Sequence, residues 1–159
     1  MGMHGHLRID LLGGFAVGVD GRWISEEAWR LRKAKSLVKL LALAPRHRLA
    51  WEELGEALGP QKDAAAVRNN FHQTLRASRD AFASVGLDGR KALRLHGGVV
   101  SFGEGLEVTV DVEEFTAAAG RAQRTGAIED YRAGAELYAG ELLPEDRYED
   151  WAEAARVAL

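Results

Sequence analysis

Arg68, Asn69, His72, Gln73, Arg76 and Arg79 stand at helical spacing within the stretch "AAAVRNNFHQTLRASRDAF". At 100° per residue, Arg68, Arg79, His72, Arg76 and Asn69 fall within about 100° of arc, with Gln73 at its edge. Val67, Phe71, Leu75, Ser78 and Phe82 fill a separate, buried sector. Guanidinium groups pair with guanine edges and phosphates, and carboxamides match adenine. A stripe of this composition therefore suits the major groove of duplex DNA, with Asn69 or Gln73 as the adenine reader. The plainer reading is a solvated helix face with an Arg76 to Asp80 pair one turn apart.

The charge is divided unevenly along the chain. The net −3 of the 159 residues separates into +6 over residues 1–103 and −9 over residues 104–159. A basic first part gathers phosphates, whereas an acidic second part repels them and suits protein contacts. Arg32, Lys33 and Lys35, together with Lys91 and Arg94, are the further cations that can neutralise phosphates, which adds affinity and salt dependence without sequence information.

Other chemistries find little support. The chain has no cysteine, which removes disulfides and thiolate ligands. His4, His6, His47, His72 and His96 have no acidic partner at ligand spacing, so no metal or other cofactor is expected. No serine sits in a nucleophile elbow, and the carboxylates of residues 104–159 fall on amphipathic helices, so an enzyme is not expected either. The scattered Trp23, Trp29, Trp51 and Trp151 suit core or inter-domain packing. The broken apolar run Leu37 to Ala44 is far shorter than a membrane span, and the opening residues lack a signal-peptide core. These features predict a cytoplasmic protein with no membrane partner.

The elements that must position the stripe follow from periodicity and turn residues. "LRIDLLGGFAVGVDGRWI" alternates around Gly13-Gly14 and Asp20-Gly21 and predicts short antiparallel strands. Ser25-Glu26-Glu27 reads as a helical N-terminus, followed by a first helix over Leu31 to Ala44 with Leu37, Leu40, Leu41 and Leu43 on one side and Arg32, Lys33, Lys35 and Lys39 on others. Pro45 stops it, and a second helix is expected from Leu49 to Leu58, ending at Gly59-Pro60. Asp63 caps the third helix, 63–84, which carries the stripe and closes near Gly86. "ALRLHGGVVSF" is a hairpin turning at Gly97-Gly98. Three helices followed by a hairpin are the layout of a winged helix-turn-helix, with the third helix as recognition helix.

Beyond it, Val108 to Val110 reads as one more strand, and Asp111 with Glu114 forms a capping box opening a helix over Val112 to Thr125. Gly126 breaks it. A helix over Ala127 to Ala139 follows, with Ile128, Tyr131, Ala135 and Tyr138 among its apolar positions, and another begins near Tyr148. Short helix pairs usually stack on further pairs. The final helix has no stop signal, which predicts a truncated domain.

Together, "LRIDLLGGFAV", "EEAWRLRKAKSLVKLLALAP", "RNNFHQTLR", "LRLHGGVVSF", "VTVDVEEF" and "YRAGAELYAGELLPEDRYEDWAEAARVAL" resemble the SARP class of antibiotic-regulatory activators. The resemblance implies an α+β fold: an OmpR-like winged-helix DNA-binding domain over 1–106, and over 107–159 the beginning of a tetratricopeptide-like bacterial transcriptional activator domain. It further implies a transcription activator that binds double-stranded promoter DNA, often at direct repeats and as two copies, and that helps RNA polymerase start. Ala77, Ser78 and Asp80 depart from the family, which tends to have arginine, leucine and a basic residue there. A protein-interaction module whose winged helix has lost DNA binding is the alternative.

Overall fold

A computed structural model describes residues 5–59 and 63–159, so the expectations about His4 and Pro60 lie outside the described residues. Three short strands open the fold: β1 (His6–Asp10), β2 (Ala16–Val19) and β3 (Arg22–Trp23). Helices α1 (Arg32–Leu43), α2 (Trp51–Ala57) and α3 (Ala64–Ala83) follow, with β4 (Arg48–Ala50) between the first two. A single helical turn, α4 (Gly89–Ala92), leads into the hairpin of β5 (Leu93–His96) and β6 (Val99–Phe102). Strand β7 (Glu107–Val110) then opens the helical part, α5 (Asp111–Thr125), α6 (Ile128–Leu137) and α7 (Asp150–Ala158). The strands form two sheets, one ordered β3-β2-β1-β7 and the other β4-β6-β5. This is the mixed α+β, winged-helix-plus-helices architecture that the order of elements predicts.

The chain forms two compact units, residues 5–6 with 18–107 and residues 7–17 with 108–159. In the first unit, α1 and α2 both pack on α3, and α1 also touches β6. Leu37, Leu41, Leu54, Phe71, Leu75 and Phe82 supply the buried bulk. Trp29 stands edge-on to Phe82 with centroids 6.3 Å apart. Trp23 is not core: it is half exposed and covers Gly18 on the neighbouring strand. Lys39, expected on a polar side of its helix, is only 2% exposed, because α1 is covered on two sides.

Local signals decided several boundaries. The Asp63 carboxylate accepts the backbone N–H of Ala66 at 2.7 Å and caps α3. Gly97 and Gly98, at φ 59° and 76°, form the mirror-image turn that matches the twist of a two-residue hairpin. Elsewhere the sequence reading needs correction. Ser25 to Ala28 yields one 3-10 turn, Glu26–Ala28, with no side-chain cap from Ser25, and the α-helix starts only at Arg32. The expected helix start at Leu49 is instead a strand whose residues Arg48, Leu49 and Ala50 pair with Ser101, Val100 and Val99. Pairing with a distant strand outweighs local periodicity over so short a stretch.

In the second unit, α5 and α6 pack on each other, with Gly134 facing Ala118 and the rings of Phe115 and Tyr138 tilted against each other at 5.4 Å between centroids. Gly126 ends α5 in the left-handed conformation, φ 66°. The capping box is not formed. The Asp111 carboxylate instead accepts the backbone N–H groups of Leu11 at 2.8 Å and Leu12 at 2.9 Å, with that of Val112 beside it. The apolar stripe of α6 stays largely uncovered, with Ile128, Tyr131 and Tyr138 exposed.

Candidate nucleic-acid interface

Helix α3 is amphipathic in the sense its sequence requires. Phe71, Thr74, Leu75, Ala77, Ser78, Ala81 and Phe82 are buried, while Arg68, Asn69, His72, Gln73 and Arg76 are exposed. Ser78, fully buried, donates to the carbonyls of Thr74 at 2.9 Å and Ala34 at 3.1 Å, which fastens α3 to α1. Ala77 is likewise inside, so both of these positions serve packing. Asp80 does not pair with Arg76; its carboxylate pairs with Arg30.

Each candidate cation has a distinct setting. The Arg68 guanidinium lies 5.7 Å from the ring centroid of Trp51, a cation–π arrangement. Trp51 is itself held from two directions: its ring lies 5.8 Å from that of Phe71, and its backbone N–H donates to the Gly98 carbonyl at 2.9 Å. Trp51 thus links α2, α3 and the hairpin turn, its ring bracing Arg68 and its backbone bonding Gly98. Arg76 is exposed and makes no ion pair among the described residues.

Arg79 differs from its neighbours on the stripe. It is half-buried, and its Nε and Nη2 donate to the Leu93 carbonyl at 3.1 and 2.9 Å. Burial, and then the nearby Arg90, hold its guanidinium below the usual arginine value, with Asp88 acting the other way. The turn before the hairpin comes very close here. A Cβ on Gly89 would fall 2.4 Å from the Cβ of Arg79, so only glycine fits.

The outlying cations are similarly divided. Arg32 and Lys33 are exposed at the start of α1. Lys35 is mostly covered and paired with Glu26, which is a structural use. Lys91 is exposed on α4, and Arg94 is paired with Glu104 at 2.7 Å. A groove between α3 and the hairpin gathers His72, Arg79, Arg90, Arg94 and His96. An adjoining groove, which shares His72, Arg79 and Arg90, adds Arg76 but also Asp80 and Asp88. Arg90 and His96 were not singled out from the sequence, because nothing in it says that α4 folds back on α3. Their only advance signal was their place just before and at the predicted hairpin turn.

Comparison with solved structures finds this fold elsewhere. Over 97% of its length the chain superposes on EmbR of Mycobacterium tuberculosis, solved in complex with a low affinity phosphopeptide, with a TM-score of 0.73 and 19% sequence identity. The chain spans 41% of the length of that protein. No protein-family model matches the sequence, and no curated protein does. The likeness is one of fold.

Proposed function

We propose that this chain is a transcription regulator of the SARP type that binds double-stranded promoter DNA by laying α3 in the major groove. The observation that carries the reading is the exposed row Arg68, Asn69, His72, Gln73 and Arg76 on a helix whose opposite face is core. Such a helix holds its reading side chains in fixed register, as sequence recognition requires. The shared fold with EmbR supports the regulator class. In this reading residues 1–106 are the DNA-binding domain, and the helices of 107–159 contact protein, RNA polymerase among them, so that the regulator acts as an activator. Two copies bind at direct repeats. Arg32, Lys33, Lys91 and Arg94 touch phosphates, whereas Arg79 serves the wing rather than a base.

Selection from a pool of random duplexes at low salt is the direct test. An enriched sequence is expected; no enrichment together with no binding to any duplex overturns the reading.

The interaction-module alternative draws on one observation, the exposed Ile128, Tyr131 and Tyr138 along α6. In that reading α6 binds a protein and the winged helix is a scaffold. The same selection separates the two.

A further inference from the structure

The sheet β4-β6-β5 has a second polar feature, of which the DNA-binding reading uses only Arg94. Ser101 in β6 is the register partner of both Arg48 in β4 and Arg94 in β5, so the three side chains form one row across the sheet. Side chains alternate between the faces of a strand, and the neighbouring pairs Leu95 with Val100 and Leu93 with Phe102 turn inward, Leu93 and Val100 being fully buried. The Arg48, Ser101, Arg94 row therefore lies on the outer face. With strands about 4.8 Å apart, the two arginine Cα atoms stand roughly 10 Å from each other, astride a hydroxyl.

One further cation, Arg46, joins this row. A surface cavity is lined by Arg46, Arg48, Arg94, His96, Ser101 and Glu104. Arg46 and His47 both adopt positive φ, 57° and 56°, a strained conformation for residues with side chains, in the link that brings Arg46 to the cavity. The cavity already holds an anion, the chain's own Glu104 carboxylate, 2.7 Å from Arg94. Glu104 is 89% exposed, so its carboxylate leaves the site for solvent at little cost. The cavity adjoins the α3 groove, since Arg94 and His96 line both.

We propose that the outer face of this sheet is a second phosphate-binding site, formed by Arg46, Arg48, Arg94 and Ser101, that takes a phosphodiester of the DNA backbone in exchange for the Glu104 carboxylate. The proposal rests on the DNA-binding reading and extends it around the β5 edge. The basic groove between α3 and the wing does not end at the hairpin: it wraps the edge strand and delivers the DNA backbone to a face that the recognition helix never touches. Glu104 subtracts from phosphate attraction there, which lowers affinity for every duplex alike.

Binding of the full chain to random-sequence duplex DNA across a salt series, with site selection from the same pool to read base preference, tests this, with Arg48→Gln, Glu104→Gln and Arg76→Ala beside the parent. Arg48→Gln is expected to flatten the slope of log affinity against log salt by about one unit, with base preference unchanged. Glu104→Gln is expected to strengthen binding about two- to fivefold, the worth of an exposed ion pair. An Arg48→Gln slope equal to the parent's, or a Glu104→Gln protein that binds no more tightly, overturns the sheet-face site. If Arg76→Ala still loses base preference in that case, the DNA-binding reading survives alone. A parent protein that binds no duplex overturns both.

Discussion

The guanidinium of Arg79 donates twice to the backbone carbonyl of Leu93, joining the recognition-helix candidate to the first strand of the wing. An arginine that helical periodicity places among the reading residues is thus engaged in holding the wing against α3. Arg79→Ala should cost about 1.5 kcal/mol in urea unfolding, the low end for hydrogen bonds to a charged group because the side chain is only half-buried. It should leave base preference at the α3 stripe intact. A variant as stable as the parent shows that the two bonds contribute nothing.

Arg76 and Lys33 should separate base reading from phosphate attraction. Arg76→Ala is expected to change both affinity and base preference, at roughly 1–3 kcal/mol of discrimination if its contact is bidentate. Lys33→Ala should weaken binding evenly over all sequences and flatten the salt slope by about one unit. Site selection with both variants measures this, and an Arg76→Ala preference identical to the parent's removes Arg76 from the stripe.

Trp51 and Arg68 should be energetically coupled. The indole under the guanidinium contributes about 0.5–1 kcal/mol at a surface site and keeps Arg68 from sampling other rotamers. Replacing Trp51 by leucine should weaken duplex binding, and Arg68→Ala should then cost less than it does in the parent. A double-mutant cycle reads the coupling directly, and strict additivity counts against it.

Asp111 should make the second unit sensitive to pH in an unusual direction. Burial raises its pKa above the ordinary carboxylate value, an effect that the Leu12, Leu11 and Val112 N–H bonds reduce and the charge of Asp10 reinforces. A folded-state pKa above the unfolded one means that its contribution to stability is greatest below the unfolded pKa and is lost as pH rises through the folded one. Thermal melts of Asp111→Asn against the parent should therefore shift in the variant's favour as pH rises through the ordinary carboxylate range and above it. Asp111→Ala leaves two backbone donors without an acceptor, at about 1–3 kcal/mol each, and should be the most destabilising of these changes.

What the sequence determined by itself is what local physics controls. The Asp63 cap, the Gly97-Gly98 turn, the left-handed Gly126 and the division of α3 into a buried and an exposed face all depend on residues within a few positions of one another. The order of three helices and a hairpin, and hence the fold class, followed from them. Tertiary structure decided which charged side chains, in the stripe and around it, are available. Arg79 went to Leu93, Asp80 to Arg30, Lys35 to Glu26 and Arg94 to Glu104, all partners that helical or strand periodicity does not pair. It also turned Arg48 to Ala50 into a strand, since a three-residue segment takes its conformation from the strand it meets. It brought the Asp111 carboxylate to the N–H groups of Leu11 and Leu12, about a hundred positions earlier. Periodicity assigns a side chain to a face. Whether that face remains open is decided by groups that only the folded chain brings near.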